Sequence, residues 1–152
     1  MLRIARRKTS DESPERVWRS VADPRRWDRF WHDPDHAEVR RVKLVGSVRP
    51  EVGAVVQVLY ADLDWTRYRI TAWRPDKQLE LVAETEGSGE GPGRAPRTAR
   101  TERLTLIPQG GGSELEWSVR FPATGLGRLV APLAVPRDAW AQTLEARLED
   151  TV

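Results

Sequence analysis

The segment HDPDH, residues 32–36, sets two histidines four positions apart with two aspartates between them. Imidazoles at that spacing share a face only on a helix, where they supply two ligands of a metal site. Pro34 forbids the helix, so the segment reads as an Asx-rich turn and no metal ligand is assigned. His32, directly after Trp31, is left as an acid or base at the edge of a cavity, or as a surface turn residue. Asp62 and Asp64 in DLD are spaced as turn formers, and a cation there would need further oxygens. The chain has no cysteine, which excludes disulfides, thiolate nucleophiles and thiolate zinc sites. No Gly-x-Ser-x-Gly elbow occurs, and the glycines of 87–93 neither open a helix nor carry a Gly-Lys-Ser/Thr sequence. No cofactor is expected.

The remaining polar groups with chemical potential are Tyr60, Tyr68, Arg100 and Glu102, and their use depends on which way strands face. In SELEWSVRF (113–121), Leu115, Trp117, Val119 and Phe121 alternate with Glu116, Ser118 and Arg120. The turn PQGGG joins this strand to RTARTERLTLI (97–107). Leu106 must oppose Leu115, and Leu104 must oppose Trp117, because a slip of one residue turns both leucines to solvent. That register carries Glu102 opposite Val119 and Arg100 opposite Phe121, on the inner face. Either both charges enter the interior, or the strand end has left the core and they are solvated. Tyr68, Ile70 and Ala72 face the same side, matched to Leu79, Leu81 and Ala83, and then Val56, Val58 and Tyr60. The inner wall is therefore apolar with Tyr60, Tyr68, Arg100 and Glu102 at one end, and Thr66 and Thr85 near them. A small-molecule cavity has that make-up, although the tyrosines also suit a packed core. Trp65, Trp73 and Val82 fall on the opposite face, where they form an apolar patch suited to a homodimer contact unless a bulge turns one inward.

The elements that must hold these groups can be read in order. LRIARRKT (2–9) is a strand. Ser13-Pro14 and Asp23-Pro24 each pair a capping residue with a first-turn proline, so two short helices follow in tandem. Val17, Trp18, Val21 and Ala22 share a face of the first; Trp27, Phe30 and Trp31 share a face of the second. Strands are expected at 37–45, 54–61, 65–73, 78–85, 97–107 and 113–121, joined by turn sequences. Only the glycine-rich 86–96 is longer, and order is not expected there. Trp140, Ala141, Leu144 and Leu148 mark a last helix, with 125–135 as an earlier helical piece bent at Pro132 or Pro136.

With 152 residues, one domain is expected, spanning 1–152. The formal charge is only +2 and acids alternate with arginines throughout, so no nucleic-acid partner is expected. The first residues lack the apolar run of a secretory signal, and no segment is long and apolar enough to span a bilayer, so the expected compartment is the cytoplasm.

The phrase SPERVWRSVADPRRWDRFW, with YRITAWRPDKQLEL and LTLIPQGGGSELEWSVRF, resembles the START-like (SRPBCC) superfamily, in its polyketide cyclase/dehydrase and lipid transport branch. The resemblance implies an α+β helix-grip fold. In it a seven-stranded curved antiparallel sheet wraps around a C-terminal helix, with two short helices between strands 1 and 2. It also implies a cavity between sheet and helix, closed at one end by Trp31 and flanked along its length by Trp140. Ligand contacts are then expected from Trp31, Tyr60, Tyr68, Arg100, Glu102, Trp117, Phe121 and Trp140. The fold alone selects no reaction. A carrier or sensor of a small hydrophobic or amphipathic molecule comes first. An aromatase/cyclase or dehydratase working in the same cavity is the alternative, with an arginine or tyrosine on an enolate and a tyrosine or histidine moving the proton. A protein- or RNA-interaction module comes third.

Overall fold

The structure, a computed structural model, describes residues 2–88, 100–122 and 136–151. Seven antiparallel strands form one sheet: β1 (Leu2–Ser10), β2 (Val39–Val45), β3 (Val55–Tyr60), β4 (Asp64–Arg74), β5 (Gln78–Ser88), β6 (Thr101–Gln109) and β7 (Gly112–Phe121). Their order is β1-β7-β6-β5-β4-β3-β2, so β1 and β2 are the two edges. The chain therefore has to cross from one edge to the other, and it does so through α1 (Pro14–Val21) and a 3-10 helix (Pro24–Arg29). The closing helix α2 (Arg137–Thr151) packs on β1 and β7 and touches α1. This is the helix-grip arrangement. Among the described residues no helix is long and apolar enough to cross a membrane.

Local chemistry explains the crossing. The Ser13 hydroxyl accepts from the Arg16 N–H at 3.4 Å, and the Asp23 carboxylate accepts from the Arg25 N–H at 3.0 Å. Each cap is followed by a proline whose missing N–H leaves no bond unmade. Instead of a second α-helix, Pro24–Arg29 forms a single tight 3-10 element, a form common in such short connectors. It still buries Trp27, Phe30 and Trp31. The Trp27 indole donates to the Val21 carbonyl at 2.8 Å, which pins the second turn to the end of α1.

The β6–β7 register follows the leucines: Leu106 opposes Leu115, Leu104 opposes Trp117 and Glu102 opposes Val119. Gly110 (φ 55°) and Gly111 (φ 92°) make a two-residue turn in which both central residues are left-handed, the twist that suits a hairpin. Arg100 lies just before the paired run, which begins at Thr101 opposite Arg120.

β4 departs from simple alternation. Tyr68 opposes Ala83 and Ile70 opposes Leu81, but the register shifts between Ile70 and Ala72, so Trp73 opposes Leu79. Ala72, expected inside, opposes Glu80 instead, and Trp73 turns inward against Trp18, with ring centroids 5.0 Å apart. Trp65 stays on the outer face yet is only 3% exposed, with the Arg67 guanidinium 5.4 Å from its ring. Trp65 and Trp73 therefore do not form an exposed patch, and a dimer contact through them is corrected: the extra residue of the bulge reverses one ring and the other is covered. β5 runs on to Ser88, further than expected. The rest of the glycine-rich linker and the helical piece expected at 125–135 lie outside the described residues.

Candidate functional site

The α2 face toward the sheet carries Trp140, Ala141, Leu144, Arg147, Leu148 and Thr151, all buried. Arg147 occupies the position seven residues after Trp140, two helical turns along the same stripe. Its guanidinium sits in an aromatic box, with Cζ 5.4 Å from the Trp31 ring, 5.3 Å from Trp117 and 6.0 Å from Trp140. From there Nη1 donates to Glu102 at 2.5 Å and Nη2 to the His32 carbonyl at 2.7 Å. The last helix is thereby tied both to β6 and to the crossing segment.

Glu102 is shared between two arginines, for Arg100 Nε reaches its other oxygen at 3.4 Å. The Arg100 guanidinium also donates to Asp33 at 3.1 Å and to the Tyr68 hydroxyl, and its Cζ lies 5.3 Å from the Trp140 ring. Asp33 in turn accepts from the Tyr60 hydroxyl at 3.0 Å, and the Thr66 hydroxyl is 3.3 Å from that of Tyr60. His36 Nδ1 lies 2.8 Å from the Asp33 carboxylate, and the His36 ring stacks on Tyr60 at 4.1 Å. Phe121 meets Trp140 edge-on at 5.7 Å. All eight expected contact residues thus surround one buried region, where Arg100 is 3% exposed and Arg147 1%. The alternative in which Arg100 and Glu102 are solvated does not hold.

Three members of this network were not among the expected residues. Arg147 had a signal, since it falls on the apolar stripe of α2. Asp33 does form an Asx turn, its carboxylate accepting from the Asp35 N–H at 2.8 Å, but it also turns inward to Arg100. His36 follows from Asp33. His32, by contrast, is exposed and lines an outer cleft of about 390 Å³ with Arg29, Pro34 and residues of α2. Among the described residues no group of three or more His, Asp or Glu is arranged to hold a metal ion.

The electrostatics follow from burial set against pairing. Burial alone would raise the Asp33 carboxyl, but the His36 hydrogen bond and the Arg100 charge outweigh it and hold it at about 2. Glu102 is likewise raised by burial and brought below its ordinary value by Arg147 and then Arg100. Burial pushes both the Tyr60 and Tyr68 phenols up, against the opposing pull of Arg100, so both remain protonated donors at neutral pH. Two guanidinium and two carboxylate groups make this set neutral overall, leaving His36 aside. Among the described residues, three buried donors of this region have no partner: Trp31 Nε1, Trp140 Nε1 and Arg147 Nε.

The same architecture occurs in solved structures. A protein from Chromobacterium violaceum superposes with a TM-score of 0.64 at 16% identity, covering 98% of this chain and 94% of its own. Truncated norcoclaurine synthase from Thalictrum flavum gives 0.66 at 12% identity, covering 99% and 90%. The Aha1 dimer from Colwellia psychrerythraea gives 0.58 at 14%, covering 96% and 92%. At these identities the likeness is one of fold. No curated protein matches the sequence significantly. The family model described as polyketide cyclase / dehydrase and lipid transport matches residues 1–151, and the chain belongs to that family.

Proposed function

We propose that the protein binds one small amphipathic molecule between the sheet and α2, as a carrier or sensor. The apolar body of the ligand lies against Trp31, Trp117, Phe121 and Trp140, and its polar end meets Tyr60, Tyr68, Arg100 and Glu102. One observation carries the proposal: the unpartnered groups of this region, Trp31 Nε1, Trp140 Nε1 and Arg147 Nε, are all donors. Buried polar groups without partners are uncommon, and an acceptor-bearing guest would satisfy these three. The guest is therefore an acceptor, with carbonyl or ether oxygens. It carries no net charge, because the two buried arginines are already matched by Asp33 and Glu102. The cytoplasm is the proposed setting, and no cofactor is invoked.

Native mass spectrometry of freshly purified protein tests this. A stoichiometric apolar mass that is released on denaturation is expected, and Arg100→Met should weaken its retention. Failure to retain any such mass, together with no thermal shift from a panel of neutral amphipathic carbonyl compounds, would overturn the proposal.

The Arg100–Tyr68 hydrogen bond favours a second activity in the same place, an aromatase/cyclase or dehydratase. A guanidinium beside a protonated phenol can stabilise an enolate oxygen and return a proton to it. Tyr68→Phe separates the two: turnover of a polyketide-like carbonyl substrate vanishes if this chemistry occurs, whereas a carrier only binds less tightly.

A further inference from the structure

The outer face of the sheet, away from α2, divides into two parts by its charge pairing. Across β1, β7, β6, β5 and the middle of β4, most basic residues of this face have acidic partners on a neighbouring strand, Arg120 being an exception among the described residues. Arg3 and Arg7 meet Glu116, Arg103 meets Glu80 and Arg69 meets Glu84. At the β2–β3–β4 end the pairing stops. Lys43 lies opposite Gln57 and Gln57 opposite Arg67, one row across three strands, with Arg41 two residues along β2 from Lys43. The side chains of Arg41, Lys43, Gln57, Leu59 and Arg67 line a groove of about 210 Å³. Among the described residues none of its three cations has a carboxylate partner.

We propose that this groove binds a phosphate-type oxyanion, either a free phosphorylated molecule or the headgroup of an anionic lipid. The geometry suits a group with several oxygens. Adjacent strands are about 4.8 Å apart, so Lys43 and Arg67 stand roughly 10 Å from each other, with Arg41 about 7 Å along the strand from Lys43. Their long side chains can converge on an anion above Gln57, whose amide offers a neutral donor. Arg67 is exposed, and its guanidinium lies 5.4 Å from the covered Trp65 ring, a contact that favours one orientation of the side chain. Leu59, 6% exposed, gives the groove an apolar floor that suits the carbon attached to a phosphate ester. Three neighbouring cations without an acidic partner, on a face where Arg3, Arg7, Arg69 and Arg103 each have one, give a local positive potential that favours an anion. The groove is separated by the sheet from the interior region, so it stands or falls independently of the ligand proposed there.

The test uses inorganic phosphate and lipid vesicles as probes, on the intact protein and on the double variant Lys43→Gln/Arg67→Gln. Phosphate at low ionic strength should shift the NMR signals of the backbone amides of residues 41–43, 57–59 and 65–67. The double variant should bind at least about 10-fold more weakly, each charge-assisted contact being strong and salt-sensitive. The control Arg103→Gln, from the paired part of the face, should bind as the parent does. Sedimentation with phosphatidylcholine vesicles containing one-fifth phosphatidic acid then identifies the source. Retention well beyond the strength of the phosphate response assigns the groove to a headgroup, and retention no greater than on phosphatidylcholine alone assigns it to a soluble phosphate. Both substituted residues are exposed, so the unfolding midpoint should stay unchanged. Phosphate shifts lying elsewhere, or a double variant within twofold of the parent for both probes, would overturn the proposal.

Discussion

Glu102→Gln is the sharpest perturbation of the interior. The substitution keeps shape and removes one charge from a carboxylate that is fully buried and held by two arginines, Arg147 at 2.5 Å and Arg100 at 3.4 Å. Arg100 retains Asp33, but Arg147 is left with no carboxylate, only the His32 carbonyl and three tryptophan faces. Stranding one buried charge costs about 3–5 kcal/mol, far more than a solvated pair is worth. For a domain of this length that corresponds to a fall in Tm of roughly 6–20 °C. Urea unfolding followed by circular dichroism would measure it, with the slope checked for constancy so that a shifted midpoint means a stability change. The companion variant Glu102→Gln/Arg147→Met removes the stranded charge and should recover most of the loss. A Glu102→Gln cost below about 1 kcal/mol, or a double variant whose losses simply add, would refute a tightly coupled pair.

Acid should act through the same network. Asp33 at about 2, against an ordinary 3.8, favours the folded state by about 2 kcal/mol at neutral pH. Because the folded value is the lower one, this contribution is complete above the ordinary carboxylate range and is lost as pH falls toward 2, with Glu102 adding in the same direction. Urea midpoints taken from about pH 6 down to 3 should fall steeply, and Asp33→Asn should flatten that fall while lowering stability at neutral pH. Gly112→Ala would place a Cβ 2.1 Å from the Ser10 carbonyl oxygen. Backbone has to move where β1 meets β7, and a loss of about 2–4 kcal/mol is expected in the same unfolding assay. Trp73→Ala should cost about 2–3 kcal/mol through lost contact with Trp18 while leaving the sedimentation coefficient unchanged, as expected of an inward-facing ring.

What could be read from the residues was whatever obeys a period. The β6–β7 register follows from two leucines and a turn, because any slip exposes both, and Glu102 is carried inside with them. The paired Ser-Pro and Asp-Pro starts announce the crossing from edge to edge. Alternation alone leaves Trp73 on the outer face unless a bulge intervenes, and the bulge between Ile70 and Ala72, which has no local signature, is what turns it inward. Arg147 carries a signal in its spacing, since it lies on the stripe of Trp140 and Leu144, but hydrophobic periodicity does not look for a guanidinium there. Asp33 could not be found from its neighbours. Its turn chemistry is complete locally, and its second role depends on Arg100, 67 residues away, a meeting that only the folded sheet arranges.

Whether this network serves stability or a guest can be decided by removing it whole. Two arginines and two carboxylates under tryptophan rings are an expensive way to fill space, since desolvation consumes most of what their attraction returns. Apolar side chains of similar volume would fill the same region without buried charges. The quadruple variant Asp33→Asn/Arg100→Met/Glu102→Leu/Arg147→Met strips out both guanidinium and both carboxylate groups together, so that neither Asp33 nor an arginine is left charged without its partner. If the charges exist to hold an acceptor-bearing ligand, this variant should unfold within about 1 kcal/mol of the parent, or later, and retain no bound mass in native mass spectrometry. If they are a structural tie between α2, β6 and the crossing segment, it should lose more than about 3 kcal/mol even though none of the four charges is left stranded. Stability kept while binding disappears is the outcome the buried donors require.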